Sequence, residues 1–193
     1  MRVITGTARG KKLKTPQGSQ TRPTADRVKE AIFSSIQFEI QNAVFLDLFA
    51  GSGQMGIEAL SRGASSVVFV DTSADACKLV QENLKLTGFA DKAKVVRSDY
   101  LAYLERCREK FDMIFLDPPY AEVFLENSMK KISEIDILSD CGIMICERPV
   151  TKTLLIDMPG FSLIKEHRYG NTCVSVYRKM IDDVNDSGAE ASE

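Results

Sequence analysis

A chain of 193 residues, 44% hydrophobic and 27% charged, is long enough for one domain with a full core, and it excludes a collagen-like or wholly disordered polymer. No apolar run approaches the ~20 residues that span a bilayer, and residues 1–6 lack the apolar stretch of a secretory signal, so a cytoplasmic protein away from membranes is expected. The net charge of −2 hides an asymmetry, because residues 1–30 carry +6 while residues 181–193 carry −5 with no basic residue. The basic head is the candidate anion-binding surface, and the acidic tail reads as disordered solvating sequence.

The five cysteines (Cys77, Cys107, Cys141, Cys146, Cys173) are irregularly spaced and contain no Cys-x-x-Cys pair. Neither a disulfide framework nor a zinc site is expected. His167, the single histidine, has no cluster of ligand-type residues around it in sequence. Chemistry built on histidine, including serine and cysteine hydrolysis and most transition-metal catalysis, is disfavoured, and no metal is expected.

In chain order, two short runs within 2–15 flank the turn-rich Gly6–Gly10 and predict a β-hairpin displaying basic side chains. A loop with Pro16, Gly18 and Pro23 follows. Val28, Ala31, Ile32 and Ile36 then recur at helical spacing behind Thr24 and Asp26, where a helix would begin. From residue 43 the pattern alternates. Strands are predicted at 43–50, 67–71, 94–97, 111–116 and 142–146, with helices at 54–62, 74–87, 99–109 and 122–135. Such β-α order implies an α/β fold with parallel strands and right-handed crossovers. Segments 161–168 and 172–179, joined at Gly170-Asn171, predict an antiparallel hairpin at the sheet edge.

Asp47-Leu48-Phe49-Ala50-Gly51-Ser52-Gly53-Gln54-Met55-Gly56 places a glycine-rich turn between a buried strand and a helix. Gly51-x-Gly53-x-x-Gly56 with Asp71 twenty residues on fits a ribose-containing cofactor: glycines allow close backbone approach, and a strand-end carboxylate can accept from ribose hydroxyls. Asp47 inside the strand and Asp99 after the third strand add acid around the loop. Acids would repel a dinucleotide's phosphates but tolerate the sulfonium of S-adenosylmethionine. Bland alternatives stand beside this reading, with Asp71 as a strand-end surface acid and Asp99 as a helix N-cap. A second motif, Asp117-Pro118-Pro119-Tyr120, closes the fourth strand and should face the glycine turn, since ligands of open α/β sheets gather beyond the strands' carboxyl ends.

These motifs resemble those of class I methyltransferases that act on exocyclic base amines, with their Asp/Asn-Pro-Pro-aromatic signature. Arg22-Pro23-Thr24-Ala25-Asp26-Arg27-Val28, Asp47 to Gly53, and Gly56-Ile57-Glu58-Ala59-Leu60-Ser61-Arg62-Gly63-Ala64 narrow the resemblance to the bacterial small-subunit (16S) rRNA guanine-N2 methyltransferase family, RsmD-like, over about Arg2 to Arg178. The resemblance implies a Rossmann-like class I methyltransferase fold: a mostly parallel seven-stranded sheet, an antiparallel edge hairpin and a small N-terminal β-hairpin. It implies a basic hairpin and loop over 1–22, a methyltransferase domain over 23–180 and the tail over 181–193.

The implied activity is methylation of a guanine N2 in 16S rRNA with S-adenosyl-L-methionine, by direct transfer to a flipped base. Asp117 and the Pro118 carbonyl would accept from the amine, Pro119 would stiffen the turn and Tyr120 would stack on the base. Asp47, Phe49, Ala50, Gly51, Gly53, Asp71 and Asp99 would serve the cofactor. Arg2, Arg9, Lys11, Lys12, Lys14, Arg22 and Arg27 would meet rRNA, as a naked strand or within the small subunit, and a monomer is expected. Glu147, after the fifth strand, is expected to form a structural salt bridge. Three alternatives stay open: a methyltransferase for DNA or other RNA bases, an NAD-dependent oxidoreductase, and a non-catalytic RNA-binding assembly factor.

Overall fold

The computed structural model describes residues 1–16, 23–119, 122–152 and 158–180. Arg22, Tyr120 and the tail 181–193, each singled out by sequence, lie outside the described residues. Seven strands form one sheet: β1 (Val44–Asp47), β2 (Ser66–Asp71), β3 (Ala93–Arg97), β4 (Phe111–Leu116), β5 (Leu138–Pro149), β6 (Phe161–Tyr169) and β7 (Thr172–Lys179). Their order is β3-β2-β1-β4-β5-β7-β6. The first five run parallel, and β7 enters antiparallel between β5 and β6. The chain reverses its direction of travel across the sheet between β1 and β4, which makes their carboxyl ends the place where loops part and a ligand can enter.

Alternation along each strand feeds two cores. Phe45, Phe69, Phe115 and Ile145 face one side, where Phe33 of α1 (Pro23–Ser35) and Ile57 and Leu60 of α2 (Gln54–Ser61) cover them. Leu46, Val70, Ile114 and Met144 face the other, under α4 (Tyr100–Arg106) and α5 (Glu122–Ile135) through Leu104, Leu125 and Met129. Gly56 permits α2 to lie close on β2, since a Cβ there would stand 2.3 Å from the Phe69 ring. α3 (Ala74–Thr87) starts where the Ser73 hydroxyl accepts from Ala76 N and stops at Gly88, whose φ of +83° closes the last turn.

The N-terminal hairpin is slighter than expected. Residues 2 and 12 form one isolated bridge, flanked by Val3 N to Lys11 O (3.0 Å) and Leu13 N to Met1 O (3.1 Å), with no named strand. The reason lies in where the other amides point. Ile4 N and Thr5 N donate to the Glu58 carboxylate at 2.8 and 3.0 Å, Thr7 N to Ser61 O at 2.8 Å and Ala8 N to Ser61 Oγ at 3.0 Å. These four donors go to α2 rather than to a facing strand, and Val3, Ala8 and Leu13 are buried with the core. β5 also begins earlier than the predicted 142, at Leu138, with a register irregularity against β4 and a positive φ of 61° at Cys141. Among the described residues, no helix is long and apolar enough to cross a membrane.

Candidate active site

The glycine-rich turn and the proline corner meet. Gly51, Asp71, Asp99, Asp117, Pro118 and Pro119 line one cavity of about 440 Å³ at the carboxyl ends of β1 to β4, with Phe49, Tyr100 and Phe124 as its apolar wall. Tyr100 anchors that wall. Its ring lies 5.3 Å from Phe49 and meets Phe124 edge-on at 5.5 Å.

The turn is held by its own backbone and by two carboxylates. Ala50 N donates to Val70 O, Gly53 N donates to Ala50 O, and Gly51 and Gly53 take φ of +53° and +76°, a region that strains any other residue. Asp71 accepts from Gly51 N at 2.9 Å and from Ser73 N at 2.8 Å, tying the turn to the start of α3. Space around Gly51 is open, so a ligand can approach its backbone. Asp47 lies behind the turn. It is 1% exposed and accepts from Gly56 N at 3.1 Å, so it braces α2 from beneath. Ala50 and Gly53 likewise shape the turn from behind the cavity surface. Asp99 caps α4, its Oδ1 accepting from Leu101 N and Ala102 N, and it still lines the cavity.

Among the described residues, the charged groups lining the cavity, Asp71, Asp99 and Asp117, are all carboxylates. Partial burial at the base of the concave wall lifts Asp117 to about 6, although solvent reaches it through the cavity mouth. Burial lifts Asp47 to about 7, aided by the charges of Asp117 and Asp71 and opposed by the Gly56 N–H. Burial and then the charge of Asp117 lift Glu147 to about 8. The salt bridge expected of Glu147 is absent. Its neighbour Arg148 takes that role, with Nη2 2.6 Å from Glu166 Oε2, while Glu147 makes no hydrogen bond or ion pair among the described residues. Alternation along β5 explains the correction, since adjacent residues point to opposite faces.

The basic residues divide. Arg2, Arg9 and Arg27 border a second, polar recess of about 540 Å³ with Asp26 and Glu30, and Arg2 stands 3.7 Å from Asp26. Lys12 is exposed. Lys11 and Lys14 are engaged within the chain: Lys11 donates to Leu86 O and Thr87 O at the end of α3, and Lys14 pairs with Glu82 at 2.8 Å. Sequence reasoning passed over Lys29 and Glu58, both essentially inaccessible. The Lys29 ammonium lies 3.5 Å from Glu58 and donates to Arg2 O at 2.6 Å, while Arg62 reaches Glu58 at 2.9 Å. The spacing of Glu58 and Arg62, one helical turn apart, was a legible sign of a pair, but the contact with the arm was not. No group of residues suited to hold a metal occurs among the described residues.

Comparison with known proteins matches the family model described as "Conserved hypothetical protein 95" to residues 1–178. The chain is 39% identical over 182 residues to "Putative rRNA methyltransferase YlbH" of Bacillus subtilis (strain 168), covering 93% of this chain and 99% of that one. It is 31% identical over 187 residues to "Ribosomal RNA small subunit methyltransferase D" of Escherichia coli (strain K12), covering 97% and 94%. Among solved structures, "Putative methyltransferase yhhF from Escherichia coli" superposes with a TM-score of 0.86 at 30% identity, covering 93% and 98%.

Proposed function

We propose that this chain, which belongs to the Conserved hypothetical protein 95 family, is an S-adenosylmethionine-dependent methyltransferase acting on the N2 amine of a guanine in 16S rRNA. The observation that carries this reading is the convergence of the Gly51 turn and the Asp117–Pro119 corner on one cavity whose charged walls are Asp71, Asp99 and Asp117. A cavity whose described lining carries acids and no base suits a cationic cofactor and repels a pyrophosphate, which weighs against a nicotinamide dinucleotide. The residues fit the group. Asp71 stands where ribose hydroxyls would be bound, the open backbone at Gly51 allows close approach, and Phe49 and Tyr100 offer an apolar wall for an adenine. When bound, the cofactor supplies an electrophilic methyl group on sulfur.

The chain's own residues supply placement. A guanine N2 lone pair is delocalised into the ring, and acceptors on its N–H groups favour the geometry in which that pair points at the methyl carbon. Asp117 is one acceptor and the Pro118 carbonyl another, with Pro119 stiffening the turn directly after that carbonyl. Tyr120 stacks on the extruded base, worth roughly 1–3 kcal/mol, which offsets much of the cost of opening. The arm within 1–22 presents Arg2, Arg9 and Lys12, joined by Arg22 and Arg27, to RNA phosphates. A ribosomal substrate places the enzyme in the cytoplasm.

Asp117→Ala tests the assignment. The variant should bind S-adenosylmethionine in calorimetry and fail to methylate small-subunit RNA, and full activity would defeat the mechanism. Mapping the methyl group missing from rRNA in a deletion strain identifies the base. Binding of NAD in preference to S-adenosylmethionine would transfer support to an oxidoreductase.

A further inference from the structure

Glu147 is a half-buried carboxyl that folding does not explain. It makes no hydrogen bond or ion pair among the described residues, and the charge it feels is the like charge of Asp117. Its oxygens have no protein partner among those residues and are not sealed from solvent, so they remain open to a ligand's donors. Its position is set by register. Leu116 of β4 pairs in parallel with Cys146 of β5, so Asp117 and Glu147 are the next residues on neighbouring strands. They stand at the same level at the carboxyl ends of those strands, near enough for the charge of Asp117 to act on Glu147.

Two acceptors side by side match one pattern among the base amines. In guanine, the atom next to the N2 amine is N1–H, so the edge presents donor beside donor. In adenine and cytosine, the ring nitrogen next to the amine is an acceptor. We infer that Glu147 is a specificity-determining residue: it accepts the N1–H of the target base while Asp117 accepts from N2–H, so that guanine is taken and adenine and cytosine are refused. This rests on the methyltransferase reading above and adds to it the group that recognises the base. The discrimination belongs to the ionised carboxylate, which offers acceptors only, and the N1–H donor of a bound guanine favours that form. An adenine or cytosine would instead set its ring-nitrogen lone pair against an acceptor.

The test pairs an atomic change in the base with one in the protein. Small-subunit rRNA is prepared with guanine or with 2-aminopurine at the modified position. 2-Aminopurine keeps the N2 amine but lacks N1–H and O6. The wild-type enzyme should prefer guanine by about 10- to 100-fold in kcat/KM, the range for one buried hydrogen bond left unmade. Glu147→Leu should lose about that factor on guanine and little on 2-aminopurine, bringing the ratio toward one, as a coupled pair requires. Glu147→Gln, whose amide oxygen still accepts from N1–H but whose NH2 can turn to donate to the bare N1 of 2-aminopurine, should keep activity on guanine with a narrower preference. Glu147→Ala provides the same comparison if the leucine variant fails to fold. A guanine preference unchanged in folded Glu147→Leu or Glu147→Ala overturns the inference while leaving the proposed function intact. Wild-type enzyme that methylates no guanine overturns the proposed function itself.

Discussion

Replacing Glu58 by alanine should release the N-terminal arm, and the size of the effect follows from what the carboxylate holds. It accepts from Ile4 N and Thr5 N, meets Arg62 at 2.9 Å and stands 3.5 Å from the inaccessible Lys29 ammonium. Removing one member of a buried ion pair costs about 3–5 kcal/mol, because the other charge stays in a poorly hydrated place. Burial already depresses Lys29, and Glu58 is the main influence opposing that shift. The two stranded amides would add about 1–3 kcal/mol each if they stayed dry, but an arm that lifts away rehydrates them, so the net loss should stay near the ion-pair figure. Urea unfolding at neutral pH measures it, and limited proteolysis within residues 2–14 reports the arm. Adding Lys29→Met to Glu58→Ala should recover more than about 1 kcal/mol, since an apolar side chain of similar length removes the orphaned charge. A loss below about 1 kcal/mol, or no recovery in the double variant, would refute the account.

Two further outcomes are expected. Asp47 binds its proton more tightly folded than unfolded, so its contribution to stability is complete below about pH 4 and disappears as pH rises through about 7. Asp47→Asn, which keeps an acceptor for Gly56 N, should therefore gain on the wild type between pH 4 and 8 by up to about 4 kcal/mol, and a gap independent of pH in urea titrations would contradict this. Neutralising Arg9 or Lys12 should lower the salt dependence of RNA binding by about one in log–log slope for each phosphate no longer engaged, measured by fluorescence anisotropy. Neutralising Lys14, already paired with Glu82, should change the slope little.

Most of the architecture was legible because buried parallel strands read as continuous apolar runs and helices carry local stop signals. Segment 74–87, set between Ser73 and Gly88, is an example. The Gly51 turn, Asp71 and Asp117 were legible for the same reason, since their spacing is itself the geometry of a strand, a turn and the next strand end. What escaped depended on contacts distant in sequence. Glu58 looks like a solvated position on an amphipathic helix until residues 4 and 5, more than fifty positions earlier, dock on it. Lys11 and Lys14 counted as surface charge, yet α3 occupies both. Asp47 shows a finer limit. Sequence placed an acid inside the first strand beside the turn, but the strand's alternation turned it beneath the loop instead of into the cavity.

The N-terminal arm, stitched to α2 through Glu58 and Ser61, bears on how a polyanion would be met. A loose basic tail must be frozen by whatever it binds, at about 1–2 kcal/mol of backbone entropy per residue. Here that ordering is completed during folding, so Arg9 and Lys12 project from a template of fixed shape. If this surface meets RNA as proposed, a rigid template would reward a phosphate path of matching curvature and penalise others, discriminating by shape as well as by charge.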